Sequence, residues 1–328
     1  MKVRVLATTL IGLVAASSAF AGELSVKGTY TDLLATGGKN VAQKYTYGKG
    51  RINFKLKAND QTAFVVENKL ESAMAIDYVY ADIAMFDSKL RIGTVTDGTA
   101  GFSGGIYQSP VFQALTRTKD NGVAYYTKFD NYNISLVNMT ALVDGNQKKV
   151  YAAKVDTKIN NLTLGGIVKY AGQKNTAGDD VSGLATEFEA SYKIGDAKLS
   201  GQYYMDLSDK AARIFDYKGK AGVNNTTYKK ESFLGLFGEY SLAGVTGVSG
   251  LGVYADYIMA MNNDTKTQWV NTTKAEQGGL AGGTQSRLAI GGKLDINSVS
   301  TLFAEVVSAT PKSGDVVGSS YIGAQVKF

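Results

Sequence analysis

The chain has no cysteine and no histidine, and only two prolines and one tryptophan among 328 residues. Without those two residue types there can be no disulfide, no thiolate or imidazole metal ligand, and no Ser-His-Asp or Cys-His nucleophile pair. Long apolar runs are also missing. A membrane-crossing helix needs about 20 consecutive apolar residues, and beyond the N-terminus no segment reaches that length. A polytopic helical transporter is excluded. Charge of one sign is scarce as well: the formal net charge is +6, with no basic run, so nucleic acid is not an expected partner. Disorder is excluded from the other direction, because 44% of the residues are hydrophobic and 20% charged.

The N-terminus has a separate purpose. Lys2 and Arg4 precede an apolar stretch from Val5 to Val14, and Ala19-Phe20-Ala21 supplies small residues where a signal peptidase reads them. Residues 1–21 are therefore expected to be a secretory signal peptide, and residues 22–328 the mature domain. Ten apolar residues are too few for a membrane anchor. Cleavage leaves 307 residues and lowers the formal charge to +4, since Lys2 and Arg4 depart.

In the mature chain, apolar residues recur at every second position in segments of about ten, separated by Gly, Asn and Asp. From Arg51 to Ala58, one face carries Ile52, Phe54, Leu56 and Ala58, and the other Asn53, Lys55 and Lys57. Asn59-Asp60 follows as a tight turn. Sixteen such segments can be counted, including 88–96, 149–156, 162–171, 183–194 and 299–307. Tight links fall at Asp87-Ser88, Asp130-Asn131 and Gly195-Asp196, and longer ones at 36–43, 97–120, 172–182, 207–229, 261–284 and 308–319. Short and long links alternate, as in an up-and-down antiparallel β-barrel that crosses an outer membrane with periplasmic turns and extracellular loops. The competing architecture is a secreted sandwich or jelly roll, but a soluble sandwich has no reason to sort its links by length. About 19 residues per strand and link suffice for the 9 to 11 that a tilted strand needs to cross the apolar band.

The last segment, Tyr321 to Phe328, places Ile322, Ala324, Val326 and Phe328 on one face. It resembles the C-terminal assembly signal of bacterial outer-membrane barrels, with Phe328 as its terminal aromatic. Lys89-Leu90-Arg91-Ile92-Gly93 is similar to the segment that leads into the constriction loop of the general porins of Gram-negative bacteria. Asp120 to Tyr126 resembles the strand that returns from that loop. The resemblance implies an all-β, sixteen-stranded, homotrimeric barrel in the outer membrane, with its third loop folded into the lumen and passive diffusion of small hydrophilic solutes and ions. It implies as partners outer-membrane lipid, lipopolysaccharide and the barrel assembly machinery, and neither cofactor, metal nor catalysis.

By position the third loop is Asp97 to Arg117. Where the family commonly carries Pro-Glu-Phe, this chain has Pro110-Val111-Phe112, so Val111 takes the place of the acid and Asp97 is the only carboxylate in the loop. Four glycines permit sharp turns there, and Tyr107 is among the residues that could pack on the wall. On the strands, the polar faces place Lys27, Arg51, Lys55, Lys57, Arg91, Lys128, Lys154, Lys169, Arg287 and Lys293 toward a lumen. The acids expected there are Glu67, Asp82, Glu187, Glu189, Glu239, Asp256 and Glu305. Lys55, Lys57 and Arg91 are the first candidates for the constriction, and the longer basic list suggests a weak preference for anions. Tyr30, Tyr45, Tyr47, Tyr132, Tyr151, Tyr170, Tyr192 and Tyr240 sit near strand ends and most fall on the apolar face, as in an aromatic girdle. Tyr78, Tyr80, Tyr126, Tyr204 and Tyr254 do not, which leaves open a substrate-selective channel for sugars or for anions such as phosphate. An adhesin or structural barrel is the remaining alternative.

Overall fold

In the computed structural model, alternation becomes a single closed sheet. The structure describes residues 23–37, 44–70, 74–96, 119–143, 146–174, 180–207, 232–261, 284–311 and 316–327. The sixteen strands are β1 (Glu23–Gly37), β2 (Lys44–Lys57), β3 (Thr62–Leu70), β4 (Met74–Met85), β5 (Ser88–Thr96), β6 (Lys119–Phe129), β7 (Tyr132–Val143) and β8 (Asn146–Ile159). They continue with β9 (Leu162–Lys174), β10 (Asp180–Ile194), β11 (Ala197–Asp206), β12 (Ser232–Ser241), β13 (Leu251–Met261), β14 (Thr284–Asp295), β15 (Ser300–Pro311) and β16 (Val317–Lys327). Each pairs antiparallel with its neighbours in sequence, and β1 pairs with β16, Tyr30 opposite Val326, to close the barrel. Closure leaves no open edge, so the ladder satisfies the backbone donors and acceptors around the whole circumference. The signal segment 1–21 and the terminal Phe328 lie outside the described residues.

The register separates two faces. One row of paired residues runs Leu56, Phe64, Ala81, Ile92, Val123 across β2 to β6, and Tyr151, Tyr170 and Leu184 continue it on β8 to β10. These side chains point away from the lumen, and Phe64, Ile92, Val123, Tyr170 and Leu184 are exposed. Phe188, Ile290 and Val306 repeat the pattern on β10, β14 and β15. A belt of large exposed apolar residues around a closed barrel is the surface that lipid, not water, should cover. The girdle tyrosines Tyr30, Tyr132, Tyr151, Tyr170, Tyr192 and Tyr240 lie on this outer surface, and Tyr151 and Tyr170 approach to 6.4 Å between ring centroids.

Several strands extend past the segments expected from hydropathy. β8 runs from Asn146 to Ile159 rather than 149–156, β9 reaches Lys174, β10 begins at Asp180 and β15 extends to Pro311. The added residues are mostly polar. Beyond the lipid belt a strand keeps its ladder hydrogen bonds without needing apolar side chains, so hydropathy reports the belt and not the strand. The links 71–73 and 144–145 are also short, although they lie on the rim that carries the long links. The rim of each link is set by the up-and-down topology, and its length follows only in part. On the other rim, the link between β12 and β13 includes one helical turn, α1 (Ala243–Thr246), in place of a simple tight turn.

The tight turns between β4 and β5, β6 and β7, β8 and β9, and β10 and β11 have left-handed residues at Phe86, Asp130, Asn160 and Gly195. Asp, Asn and Gly tolerate that conformation; a fully exposed phenylalanine at φ 53° does not. Phe86→Asn should therefore raise stability by about 1 kcal/mol, read as a higher urea midpoint for unfolding from lipid vesicles. On the outer face, Val168→Arg near the middle of β9 should cost about 2–4 kcal/mol in the same assay.

Candidate functional site

Residues alternating with the outer belt point inward and divide the wall into two sectors. Across β1 to β6 the inner face carries Lys27, Arg51, Lys55, Lys57, Lys89 and Lys128 in contact with solvent. From β6 to β15, most inward-facing side chains in the middle of the strands are shielded from water, while those near the short turns, such as Lys128, Lys158 and Lys193, are exposed. Ala124, Val137, Met139, Val150, Ala152, Ala171, Ala185, Tyr204, Phe233 and Ile258 form one buried cluster with Val95 of β5. Tyr204 and Phe233 stack at 5.7 Å.

By register and burial, the lumen candidates on the described strands share the inner face. Arg51 donates to Glu67 at 2.9 Å, and Arg91 clamps Asp82 with two hydrogen bonds of 2.7 and 2.9 Å. A bidentate guanidinium–carboxylate pair fixes both side chains and cancels their charge locally. The Arg91 guanidinium also sits 3.6 Å from the Tyr80 ring centroid and 5.6 Å from that of Tyr126, and the Lys89 ammonium lies 4.7 Å from Tyr126. Gly93, at φ +118°, makes room for this stack: a Cβ there would come within 2.5 Å of the Val79 carbonyl oxygen and 2.9 Å of Tyr80 Cα.

Within the shielded sector the charges are paired. Lys154 reaches Glu189 at 3.2 Å and Asp156 at 3.3 Å, Lys169 lies 3.9 Å from Glu187, and Arg287 lies 3.4 Å from Asp256. Tyr254 donates to Glu305 at 2.9 Å, its ring lying so close over Gly291 that no side chain would fit there. Glu239 faces Lys293 at 3.8 Å.

Depth differs from the expectation for three residues. Lys55, Lys57 and Arg91 lie toward the short-turn rim, away from Thr96, where the 97–117 segment departs. Lys57 binds Asp60 in the turn at 2.8 Å, which holds the Asp60 carboxyl below its ordinary range through the hydrogen bond and the ammonium charge. Lys128 is exposed near the end of β6. Asp97, Tyr107, Val111 and Arg117 lie outside the described residues.

Sequence reading missed the most highly connected acid. Asp77 is contacted by Lys119, by Lys69 at 3.4 Å and by Arg51 at 3.6 Å, and its side chain is 4% exposed. A register shift between Glu67 and Asn68 inserts Asp77 into the ladder, so it joins Tyr78 on the inner side. Period-two reading assigns Asp77 and Tyr78 to opposite faces; the only hint is that Asp77 falls out of step with Tyr78, Tyr80 and Asp82 on the same strand.

No family model matches the chain, and no curated protein is similar to it in sequence. Solved structures are similar in shape. OmpF of Salmonella typhi superposes with a TM-score of 0.67 at 12% identity, over 93% of this chain and 97% of that one. The fold is that of the sixteen-stranded outer-membrane porins. The porin fold is equally evident against the outer-membrane channel DcaP of Acinetobacter baumannii, with TM-score 0.66, 12% identity and coverage of 95% and 99%. It recurs in an anion-selective porin from Comamonas acidovorans, with TM-score 0.62, 14% identity and coverage of 94% and 100%. An apolar belt on a closed porin barrel fits an outer-membrane location, where strands can span because no backbone group is left unpaired in lipid.

The Arg91–Asp82 clamp gives a direct test of wall electrostatics. Asp82→Asn removes the countercharge and should shift reversal potentials in a salt gradient toward anions, whereas Arg91→Gln should shift them toward cations.

Proposed function

We propose that this chain forms a water-filled outer-membrane channel for passive diffusion of small hydrophilic solutes and ions. The observation that carries this reading is the pairing of an outward apolar belt with an inner face that presents Lys27, Arg51, Lys55, Lys57, Lys89 and Lys128 to solvent across β1 to β6 of the same closed sheet. A barrel of sixteen strands is wide enough to leave an aqueous passage, and a charged inner wall is of use only where water and solutes reach it. In this reading residues 1–21 are the export signal and residues 22–328 the barrel. The chain assembles as a homotrimer among lipid and lipopolysaccharide, Phe328 completes the assembly signal, and passage needs neither cofactor nor catalytic group.

Residues 97–117 are the proposed constriction. The apolar cluster on the inner wall supports this, because an inward-facing apolar surface that excludes water requires a cover, and Val95, just before that segment, is part of the cluster. Deleting residues 100–115 should raise single-channel conductance severalfold; an unchanged conductance would place the constriction elsewhere.

A sugar-selective channel is less well supported. Of the five tyrosines that the sequence sets apart from the girdle, all face inward, but Tyr78, Tyr204 and Tyr254 are buried, leaving Tyr80 and Tyr126 beside Arg91 as the partly accessible rings of that set. Two rings do not make a continuous stacking path. Purified protein reconstituted in liposomes should admit mono- and disaccharides at rates that fall smoothly with solute size. Saturable uptake of one sugar would favour the selective alternative, and absence of swelling would favour a plugged structural barrel.

A further inference from the structure

The charges on the inner wall are unevenly compensated along the barrel axis. Along most of the wall the basic side chains described above have acidic partners: Lys119 and Lys69 share Asp77 toward the long-link rim, Arg51 has Glu67, Lys154 has Glu189, and Arg91 has Asp82 toward the short-turn rim. At the short-turn rim itself pairing is incomplete: Lys57 is held by Asp60 and Lys89 by Asp82, but other lysines are not matched. Lys27, Lys55, Lys128, Lys158, Lys193 and Lys198 make no ion pair among the described residues, and each lies on a different strand: β1, β2, β6, β8, β10 and β11.

Register fixes their direction. Lys27 pairs with Asn53, which pairs with the inward Glu67. Lys55 pairs with Val65, which in turn faces Tyr80. Lys128 and Lys158 are each two residues beyond the inward Tyr126 and Asp156, and Lys193 is four beyond Glu189. Lys198 lies over the inward Phe237 ring at 5.9 Å. Five of the six are exposed, and Lys198 is half-buried.

One pair shows that this arrangement has a cost. Lys193 and Lys198 stand directly opposite each other across the β10–β11 ladder, where like charges are destabilising. The carboxylate of Glu239, next in register to Lys198, is directed to Lys293 instead. Asp60, Asp87, Asp130 and Asp196 are in the turns themselves, where Asp60 binds Lys57; of the acids on the strand ends, Asp156 binds Lys154 and Asp295 accepts from Thr301, and Glu23 opens β1 opposite Lys57.

We propose that these six lysines form a cationic collar at the short-turn mouth and determine the specificity of the channel for small anions, carboxylates and inorganic phosphate included. The proposal rests on the channel reading above and assigns its selectivity to the unmatched lysines, not to the neutralised pairs. Rings of uncompensated charge in a water-filled passage raise the local concentration of counter-ions and exclude co-ions. The collar makes the effect sided, because an anion arriving from the short-turn face meets it before any constriction.

The chain lacks cysteine, so the collar can be recharged after folding. Lys55→Cys and Lys128→Cys, combined in one variant and reconstituted in planar bilayers, should have a lower chloride-to-potassium permeability ratio than the parent. A positively charged thiosulfonate reagent should restore the ratio, and a negatively charged one should lower it severalfold further. Inorganic tripolyphosphate should reduce parental conductance more from the short-turn side than from the other, with sides assigned by modification of a single Gly195→Cys. Open channels with a ratio insensitive to both reagents, a parental preference for potassium, or block equal from both sides would overturn the collar while leaving the channel intact. Inserted protein without any conductance would overturn the channel reading itself.

Discussion

Everything in this molecule depends on satisfying backbone hydrogen bonds where water is absent. An unpaired N–H or C=O in lipid costs several kcal/mol, so a strand can enter the membrane only if both of its edges are occupied. Pairing of β1 with β16 meets that condition for the whole sheet at once. With the ladder closed, side chains are free to differ completely on the two faces, apolar outward and charged inward. Phe188 and Glu189, adjacent in sequence, illustrate the division: one is exposed toward lipid, and the other is buried on the inner wall beside Lys154.

The inner wall is not uniform. Between β6 and β15 it resembles a protein core, with an apolar cluster and charges neutralised in pairs. Between β1 and β6 it is wet. Ion pairs cost desolvation when they are shut away from water, and the shielded Lys169–Glu187 and Arg287–Asp256 pairs show that the shielded sector accommodates charge only in compensated form. Where water remains, matching is optional: Lys57 and Lys89 have Asp60 and Asp82, while Lys27, Lys55 and Lys128 make no ion pair among the described residues. Solvent access thus decides which charges must be matched and which can act on a passing solute.

Much of this was legible in the alternation. The strand number, the inward direction of Lys55, Arg91, Glu189 and Arg287, and the outward direction of the girdle tyrosines all follow from period two, because a strand sends neighbouring side chains to opposite faces. Reading failed where the period broke or ceased to matter. Asp77 was hidden by a bulge, and the polar extensions of β8 and β9 were hidden because hydropathy measures the lipid belt alone. The depth of Lys57 was also misread, since a strand pattern gives a face but no height along the axis.

The sequence by itself determined a closed-barrel pattern, its two faces and the identity of the charges on each, because lipid and water impose opposite demands on alternate residues. Only the tertiary structure decided which charges meet. Arg91 and Asp82 are nine positions apart in sequence, Lys154 and Glu189 thirty-five, and Lys119 and Asp77 forty-two. Their pairing depends on register and curvature across neighbouring strands. The same register leaves six rim lysines without an ion pair among the described residues, since Asn53, Val65, Asn133, Thr163 and another lysine stand opposite them, and the one acid in register, Glu239 opposite Lys198, is directed to Lys293.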